Sequence, residues 1–426
     1  MTASVHQNEH LLFTILLQLI IMIGTARILN TVFRKFRQPG VIGEIVAGLM
    51  LGPSLFGHFF PEQSIALFGA SASPAITIIS QIGLILLMFQ IGMDFEFGHL
   101  KARRNRNGVL VIAALSVSVP LILGISVGRL SAPVLAPAMD PVTYSLFVGV
   151  SLAITAVPIL GRILREFDLN HTEIGVVVIS AAAVNDVVGW VLLAGVSAYA
   201  TAHFSISQMG LQLGGILLFV AALWGVMRPL VNRLLERFPV RGQDVPPNLM
   251  GIVICLMLAM AICTFKLGIF AIFGGFAAGL LFHRHKSFVE AWRRQVGQFV
   301  MVFFLPIFFA YTGLRTNILG LGSIEDLQWL GIVLAAAVLG KILPVYLAGR
   351  LTGFSHDEAS VMGALMNTRA LMELIVLNVG YDLGFIPQSM FTMLVVMAVI
   401  TTIMTGPLLR VLLPRLHHAI PEGIEA

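Results

Sequence analysis

The amino-acid sequence predicts an all-α integral membrane protein, and three observations support this. Of its 426 residues, 58% are hydrophobic and only 11% are charged, whereas an average soluble domain has about 25% charged residues. The apolar residues form long runs joined by short polar loops, as transmembrane helices require. Basic residues collect in alternate loops, which is the pattern that sets the orientation of a membrane protein.

Counting the apolar runs predicts thirteen transmembrane helices in a single transmembrane domain covering 1–426. The predicted spans are 11–30, 41–57, 75–93, 108–130, 142–163, 173–200, 207–227, 248–265, 267–282, 299–314, 327–349, 358–380 and 390–412. A short cytoplasmic tail is predicted at 413–426.

The basic residues follow the odd-numbered spans, whereas the opposite loops hold only Arg129, Lys266 and Arg315. The clusters are Arg34 to Arg37, Lys101 to Arg106, Arg162 to Arg165, Arg228 to Arg241, Arg284 to Arg294, Arg350, and Arg410 to Arg415. The positive-inside rule then predicts a multi-pass protein of the cell (inner) membrane, with the N-terminus outside and the C-terminus in the cytoplasm. Membrane orientation explains the formal charge of +5, so we predict the lipid bilayer as a partner and no nucleic acid.

Spans five and twelve are interrupted at corresponding positions, seven helices apart. Span five carries Pro158, which removes one amide donor from the helix, and span twelve carries Asn367 to Arg369 at the same depth. Such a pair of broken helices predicts two inverted six-helix repeats with a binding site near the membrane midplane. The alternative is a proline kink and an unrelated polar patch. The predicted segments are repeat one at about 11–200, a linker helix at about 207–227 and repeat two at about 248–412.

Asp186 is the first candidate site residue because its carboxylate lies near the middle of span six. An ionisable group at that depth is expensive unless it faces a cavity or a partner, so an ion or proton site is the default interpretation. The small residues Ser180 to Ala183 permit close packing against the break in span five, which brings Thr155 towards Asp186. Carboxylate, hydroxyl and carbonyl oxygens suit a hard monovalent cation, and we expect cation and proton to compete for Asp186. The alternative is a buried aspartate that is hydrogen-bonded to a neighbouring helix.

Three further charged residues within predicted spans are candidate site residues: Lys341, Arg369 and Glu373. Lys341, in the middle of span eleven, needs a partner, which is either Asp186, the polar groups of span five, or the carboxyl end of a broken helix that it caps. Arg369 and Glu373 are four residues apart and share a helix face. Arginine does not lose its proton, so Arg369 is predicted to hold the second break together beside Asn367. Glu373 is either its counter-ion or a second acidic site.

The sequence contains no phosphate-binding glycine loop, zinc-ligand spacing or nucleophile motif. We therefore predict that the protein is not an enzyme and that it uses no cofactor.

Five strings occur in order along the chain: Val41 to Pro53, Ile154 to Leu164, Asn185 to Trp190, Gly340-Lys341, and Asn367 to Leu374 with Asn378. Together they resemble the monovalent cation/proton antiporter-2 family, which includes bacterial Na⁺ or K⁺/H⁺ antiporters and plant cation/proton exchangers. The resemblance implies a homodimer in which the first three helices of each repeat form a scaffold. The last three, with the crossed broken helices of spans five and twelve, then form an elevator-type core.

The resemblance also implies roles for individual residues. Asp186 is expected to bind Na⁺ or K⁺ and the proton, with Asn185 as its polar neighbour, Thr155 as a broken-helix ligand and Lys341 as the core lysine. The implied function is secondary-active exchange of Na⁺ or K⁺ for H⁺ by alternating access. The alternatives are a pH-gated or ligand-gated cation channel, or an ion sensor, on the same scaffold.

The chain departs from the family pattern in three ways. Electrogenic relatives tend to have two adjacent acids where this chain has Asn185-Asp186, and asparagine cannot release a proton. One titrating carboxylate predicts electroneutral exchange, unless Lys341 also titrates. Ala370 replaces a glycine that is common at the second break. The sequence lacks the cytoplasmic regulatory domain of many potassium-transporting members, so any such regulation is expected from a separate subunit.

Overall fold

The structure is a computed structural model that describes residues 2–36, 38, 40–69, 74–93, 103–169, 172–201, 206–240, 244–267 and 270–416. Most of these residues are helical, and none of them forms a β-strand. The α-helices are α1 (Thr2–Lys35), α2 (Gly40–Leu51), α3 (Phe56–Phe59), α4 (Pro61–Phe68), α5 (Pro74–Met93), α6 (Arg103–Leu135), α7 (Pro141–Ala153), α8 (Val157–Glu166), α9 (Glu173–Thr201), α10 (Ile206–Ala222), α11 (Arg228–Arg237), α12 (Pro247–Lys266), α13 (Ala271–Phe282), α14 (Lys286–Trp292), α15 (Leu305–Leu314), α16 (Ile324–Leu351), α17 (His356–Met366), α18 (Leu371–Asp382) and α19 (Gln388–Leu412).

Some connections between these helices are also helical. π-helical turns at Leu223–Met227, Arg293–Gly297 and Val300–Phe304 occur between α10 and α11 and between α14 and α15. Short 3₁₀ turns lie at Ile318–Gly320 and Leu413–Leu416.

Eleven helical segments among the described residues are long and apolar enough to cross a membrane. They are Glu9–Lys35, Gly40–Phe59, Pro74–Met93, Asn107–Leu135, Glu173–Ser197, Gly214–Arg237, Pro247–Lys266, Val300–Gly320, Ile324–Leu351, His356–Asp382 and Gln388–Leu416. Two shorter apolar helices, α7 and α13, lie where the fifth and ninth spans are predicted. The all-α architecture with many apolar helices is confirmed, whereas the count of thirteen spans stays a prediction. Of the predicted tail, residues 417–426 lie outside the described part of the chain.

Local sequence explains where several helices begin. The Asp140 side chain accepts a hydrogen bond from the Thr143 amide and caps α7, with Pro141 in the first turn. Ser323 and Ser355 start α16 and α17 with capping boxes, in which the carboxylate of an acid three residues later accepts a hydrogen bond from the backbone N–H of the cap residue. Each cap satisfies amides that have no partner within the helix.

The described residues divide into two compact units. Unit 1 draws on Met1–Gly24, Leu67–Glu96 and Ser197–Tyr311, and unit 2 draws on Thr25–Ala66, Phe97–Val196 and Thr312–Ala426. The predicted repeat boundaries stay a prediction.

Unit 1 is built on the packing of α5 against α13. The backbone of Gly279 approaches the carbonyl of Phe89 so closely that a β-carbon would clash with it. The Phe89 ring meets Trp292 edge-on with centroids 4.9 Å apart, and Phe282 stacks on Phe288 with centroids 4.7 Å apart. These aromatic side chains are buried and form the core at this end of α13.

Unit 2 contains both interrupted helices. The first helix stops at Ala153 and resumes at Val157, and the second stops at Met366 and resumes at Leu371. The second segment is 94% buried in its most apolar window, against 33% for α16, so it lies at the centre of this unit. Pro158 is the second residue of α8, where a proline is tolerated because first-turn amides have no helical partner. The unwound residues are therefore those just before the proline.

Candidate functional site

Asp186 lies on the unbroken helix α9 and is 3% exposed. Its carboxylate accepts a hydrogen bond from the backbone N–H of Val157, which is the first residue of α8. A helix N-terminus favours a carboxylate because its first amides are unpaired and its dipole is positive there. The Oδ1 atom of Asp186 is buried and has no hydrogen-bond partner among the described residues. One side of the carboxylate is thus held by the break, and the other side has an unused acceptor.

Asn185, the chain neighbour of Asp186 on α9, and Thr155, in the first break, are fully buried. With its amide nitrogen towards the carbonyls of Ala113 at 3.1 Å and Ala181 at 3.3 Å, Asn185 accepts a hydrogen bond from Ser116 Oγ at 2.7 Å. We adopt this orientation because it satisfies both ends of the amide. The Thr155 hydroxyl lies 3.5 Å from the same end of the Asn185 side chain as Ser116. The break in the first helix therefore brings its hydroxyl close to the Asn185 side chain.

Lys341 is fully buried, and its ammonium donates to two backbone carbonyls. Nζ lies 2.8 Å from the Ser116 oxygen and 2.6 Å from the Ala153 oxygen. Neither carbonyl has the backbone N–H that would normally bond to it four residues later in a helix, and the sequence explains why. Pro120 has no N–H to donate to Ser116, four residues earlier, and α7 stops at Ala153. Lys341 thus caps the carboxyl end of the first broken helix, and its charge also interacts with that of Asp186.

Arg369 and Glu373 form a fully buried ion pair across one turn at the start of α18, with Nη1 and Oε2 3.6 Å apart. The same guanidinium donates to the Ser151 oxygen at 3.3 Å and the Ala337 oxygen at 3.2 Å. It therefore links the second break to α7 and α16. Among the described residues, the Glu373 carboxylate has no hydrogen-bond partner, so the charge of Arg369 is its main support.

The second break is lined by hydroxyl and amide groups. The Asn367 amide donates to the Thr401 oxygen at 3.4 Å, and the Thr368 hydroxyl lies 3.3 Å from that of Thr405. The Thr368 carbonyl accepts a hydrogen bond from the amide of Ala156 at 3.4 Å, so the two breaks touch. Ala370, at the end of this break, has a φ of 88°, a conformation that favours glycine.

The formal charges of this cluster balance, because two buried acids, Asp186 and Glu373, accompany two buried bases, Lys341 and Arg369. Burying unbalanced charge is costly, so the balanced state is the stable reference. Adding one positive charge at Asp186 would change this balance by one unit.

The structure brings the predicted residues together in unit 2: Asp186, Asn185, Thr155, Lys341, Arg369, Glu373 and Asn367, with Pro158 in the chain next to Val157. Of the three partners predicted for Lys341, the carbonyl end of α7 is the one that its ammonium contacts. The sequence interpretation missed Ser116, which contacts both Asn185 and Lys341. Pro120 was the available signal, since a proline inside a helix releases the carbonyl four residues before it.

Comparisons with known proteins agree with this fold and identify a family. Residues 19–414 match the family described as sodium/hydrogen exchanger, transmembrane. The Na⁺/H⁺ antiporter NhaS4 of Synechocystis sp. is 36% identical over 418 residues, which cover 96% of this chain and 100% of that relative. K⁺/H⁺ antiporter 1 of Saccharomyces cerevisiae is 29% identical over 423 residues, which cover 96% of this chain and 47% of the yeast protein.

A solved structure shows the same fold. The sodium proton antiporter MjNhaP1 from Methanocaldococcus jannaschii superimposes with a TM-score of 0.65 at 15% identity, covering 94% of this chain and 96% of that one. At such low identity the likeness concerns the fold alone. Together with the match over residues 19–414 and the 36% identity to a full-length relative, it confirms the family resemblance. The chain belongs to the sodium/hydrogen exchanger family.

Proposed function

We propose that this protein is a secondary-active antiporter that exchanges Na⁺ or K⁺ for H⁺ at Asp186. The observation that carries the proposal is the buried carboxylate with one oxygen lacking a partner among the described residues, placed against the amino end of α8. Intramembrane acids with this placement are ion or proton sites by default. The relatives compared above are named as Na⁺/H⁺ and K⁺/H⁺ antiporters, which supports exchange over a channel or a sensor.

In this proposal a cation and a proton bind Asp186 alternately. The cation is coordinated by the Asp186 carboxylate, with Thr155 and Asn185 supplying neutral oxygen atoms from the two helices that meet there. Because dehydrating a cation is compensated only by an ionised carboxylate, the loaded site excludes the proton. Lys341, Arg369, Glu373 and Asn367 hold the broken helices in place and do not bind the transported ion.

Electroneutral exchange is part of the same proposal. Asn185 cannot titrate, and the Lys341 ammonium is held by two carbonyls, which favours a charge that stays fixed through the cycle. Asp186 then carries one proton in one direction and one monovalent cation in the other. The proposal has three further parts: alternating access by an elevator-type core, a homodimeric scaffold, and an inner-membrane location with the N-terminus outside. The contact between the two helix breaks supports the elevator-type core.

The test is proton exchange in proteoliposomes that carry a pH gradient reported by a quenched amine dye. We expect addition of Na⁺ or K⁺ to relieve the quenching saturably in the natural protein, and Asp186→Asn to abolish this response. Asp357→Asn, which makes the same chemical change at the start of α17 outside the site, is the matched control and should remain active. Full activity of Asp186→Asn would refute the assignment.

The same assay distinguishes the alternatives. Na⁺, K⁺, Li⁺ and Rb⁺ are compared across pH, with and without a clamp on the membrane potential. Electroneutral exchange gives the same rate under both conditions, whereas a channel gives a current that needs no counter-flow of protons. A rate that depends on the membrane potential would mean that a second group moves charge during the cycle, and Lys341 is the first candidate for that group.

A further inference from the structure

Unit 1 contains a cavity of about 490 Å³ that shares no residue with the candidate ion site. Two segments line it: α11 with the residues that directly follow it, and the connection from α13 to α14. Both segments supply polar and apolar side chains. Its volume falls within the range of about 300–1,000 Å³ that is usual for small-molecule sites. Size alone thus permits a ligand, and the chemistry of the lining indicates which kind.

Basic groups predominate among the charged and titratable residues of the lining. Arg228 and Arg284 bring two permanent positive charges, and His283 and His285 add two groups that gain charge on protonation. Glu236 is the single carboxylate among the described lining residues, and it is exposed to solvent. The cavity is therefore positive at neutral pH and becomes more so as the histidines protonate, which favours an anion.

Hydrogen bonds already fix one nitrogen of each histidine ring. His283 Nδ1 lies 2.6 Å from the Leu280 carbonyl oxygen, and His285 Nε2 lies 3.0 Å from Asn232 Oδ1. Because these oxygens only accept, each of these nitrogens carries a hydrogen, and protonation adds a donor at the opposite side of the ring. Burial, with the nearby His283 and Arg228, lowers the pKa of His285. A bound anion would offset that effect and draw a proton onto the ring.

Arg228 is positioned by two features of its own helix. It is the first residue after the π-helical turn Leu223–Met227, and such wide turns occur often at functional sites. Its guanidinium lies 5.3 Å from the ring centroid of Trp224, a cation–π contact that restricts the side chain. The arginine at the cavity is thus held in place before any ligand binds.

We propose that this cavity binds a phosphate group through Arg228 and Arg284, with His283 and His285 as additional donors. Guanidinium groups match phosphate oxygens in charge and in geometry, and the volume accepts a phosphate together with the group that bears it. The phosphate comes either from the headgroup of an anionic lipid or from a soluble phosphate compound. Exchange at Asp186 plays no part in this inference.

Binding is measured on the full-length purified protein in two arms. In the first, inorganic phosphate is titrated at constant ionic strength against chloride, and the fluorescence of Trp224 and the other tryptophans reports occupancy. In the second, native mass spectrometry counts the phosphatidylglycerol molecules retained after incubation with phosphatidylglycerol or, as a neutral comparison, phosphatidylcholine. Saturation in the first arm identifies a soluble ligand, and selective retention in the second alone identifies a lipid headgroup.

The variants test whether the cavity itself is responsible. Arg228→Gln with Arg284→Gln should weaken binding about tenfold or more, as loss of charge-assisted hydrogen bonds does. Arg233→Gln with Arg237→Gln removes the same charge from α11 outside the cavity and should leave affinity within about twofold, as expected for exposed charges screened by salt. Glu236→Gln should tighten binding, and this variant keeps the test decisive if the arginine pair fails to fold. An equal loss in both arginine pairs, no response to Glu236→Gln, or no saturable binding in either arm would overturn the proposal.

Discussion

The two broken helices of unit 2 touch through Ala156 and Thr368, yet their acids are in different surroundings. At the first break, Asp186 faces the amino end of α8 and keeps one oxygen without a partner among the described residues. At the second, Glu373 lies on α18 itself, 3.6 Å from the guanidinium of Arg369. The first acid is held by backbone dipoles, whereas the second is paired with a permanent charge.

Under the proposed function, this difference favours one break over the other as the place where ions exchange. An acid beside a permanent cation is already neutralised, so it gains little from binding a second cation. At the first break the Lys341 ammonium interacts with Asp186 only through its charge and donates its hydrogen bonds to two carbonyls, so Asp186 keeps an oxygen that can take a proton or a monovalent cation. We therefore infer that the first break exchanges ions and that the second holds a fixed pair.

The largest expected effect follows removal of the fixed cation. Arg369→Met should lower the free energy of unfolding by about 3–5 kcal/mol, because it leaves Glu373 buried without its partner. Arg369→Met combined with Glu373→Met should recover only part of that loss, since it removes the unpaired acid but still leaves the Ser151 and Ala337 carbonyls without their charged donor. Thermal unfolding in detergent, followed by tryptophan fluorescence, measures both.

The double variant also tests the contrast between the breaks. If the second pair only holds the structure, a folded double variant should still exchange cations for protons in proteoliposomes. Loss of exchange in a protein that is folded and stable would show that Glu373 is a second acidic site.

The next effect concerns the cap of the first broken helix. Lys341→Met should lower the free energy of unfolding by about 2–4 kcal/mol, because the carbonyls of Ser116 and Ala153 lose a charged donor while buried. If the lysine charge is fixed, the residual exchange should keep its independence of membrane potential. A change in that dependence, measured with the potential clamp, would show that Lys341 takes part in the proton count.

A smaller effect is expected at the backbone of the second break. Ala370 has φ 88° and ψ −104°, a conformation that stores strain of about 1–3 kcal/mol in a residue with a side chain. Ala370→Gly should relieve it and raise the free energy of unfolding by about 1 kcal/mol, since the greater freedom of glycine in the unfolded chain offsets part of the gain. An unchanged or lower thermal midpoint would mean that the backbone at this position is not strained.

The smallest effect is expected at Asp140, where the first of the two broken helices begins. Hydrogen bonds from the Thr143 hydroxyl and amide lower the pKa of Asp140, the cap of α7. A lowered folded-state pKa stabilises at pH values above the unfolded value of about 3.9, and this stabilisation is lost as pH falls through the folded value. Asp140→Ala should therefore cost about 1 kcal/mol or less at neutral pH, and its difference from the natural protein should shrink below about pH 4.

Asp140→Asn is the control, because asparagine caps a helix about as well as aspartate but carries no charge. Its thermal midpoint at neutral pH should lie between those of Asp140→Ala and the natural protein, because asparagine keeps the cap and loses the charge. A difference between Asp140→Ala and the natural protein that persists unchanged to low pH would show that the charge of Asp140 contributes nothing.

Much of the arrangement could be predicted from the sequence because lipid imposes simple rules. A carboxylate in an apolar run signals a site wherever it occurs, and this rule identified Asp186 without knowledge of its neighbours. The two breaks could be located because proline and a polar string interrupt otherwise apolar helices. The roles assigned to these residues stay predictions, as do the repeats and the thirteen spans.

The partners of the charged groups could not be predicted in the same way. Lys341 contacts Ala153, 188 residues earlier in the chain, and this contact depends on which helices pack together. The sequence permitted three partners for Lys341 and gave no means of choosing among them. Ser116 was missed because a serine in an apolar helix is common, and only Pro120 distinguished it. The strain at Ala370 is a property of its dihedral angles, which no single residue type specifies.

The contacts of Lys341 and Arg369 also have a mechanical consequence. Lys341, on α16, donates to α6 and α7, while Arg369 donates to α7 and α16. Two side chains thus act as cross-links among three helices, and Lys341 replaces backbone hydrogen bonds that are lost at Pro120 and at the end of α7. Separating these helices within a bilayer would expose carbonyls where no water is available to receive them. Any displacement that carries Asp186 from one side of the membrane to the other must therefore move these helices together as one body.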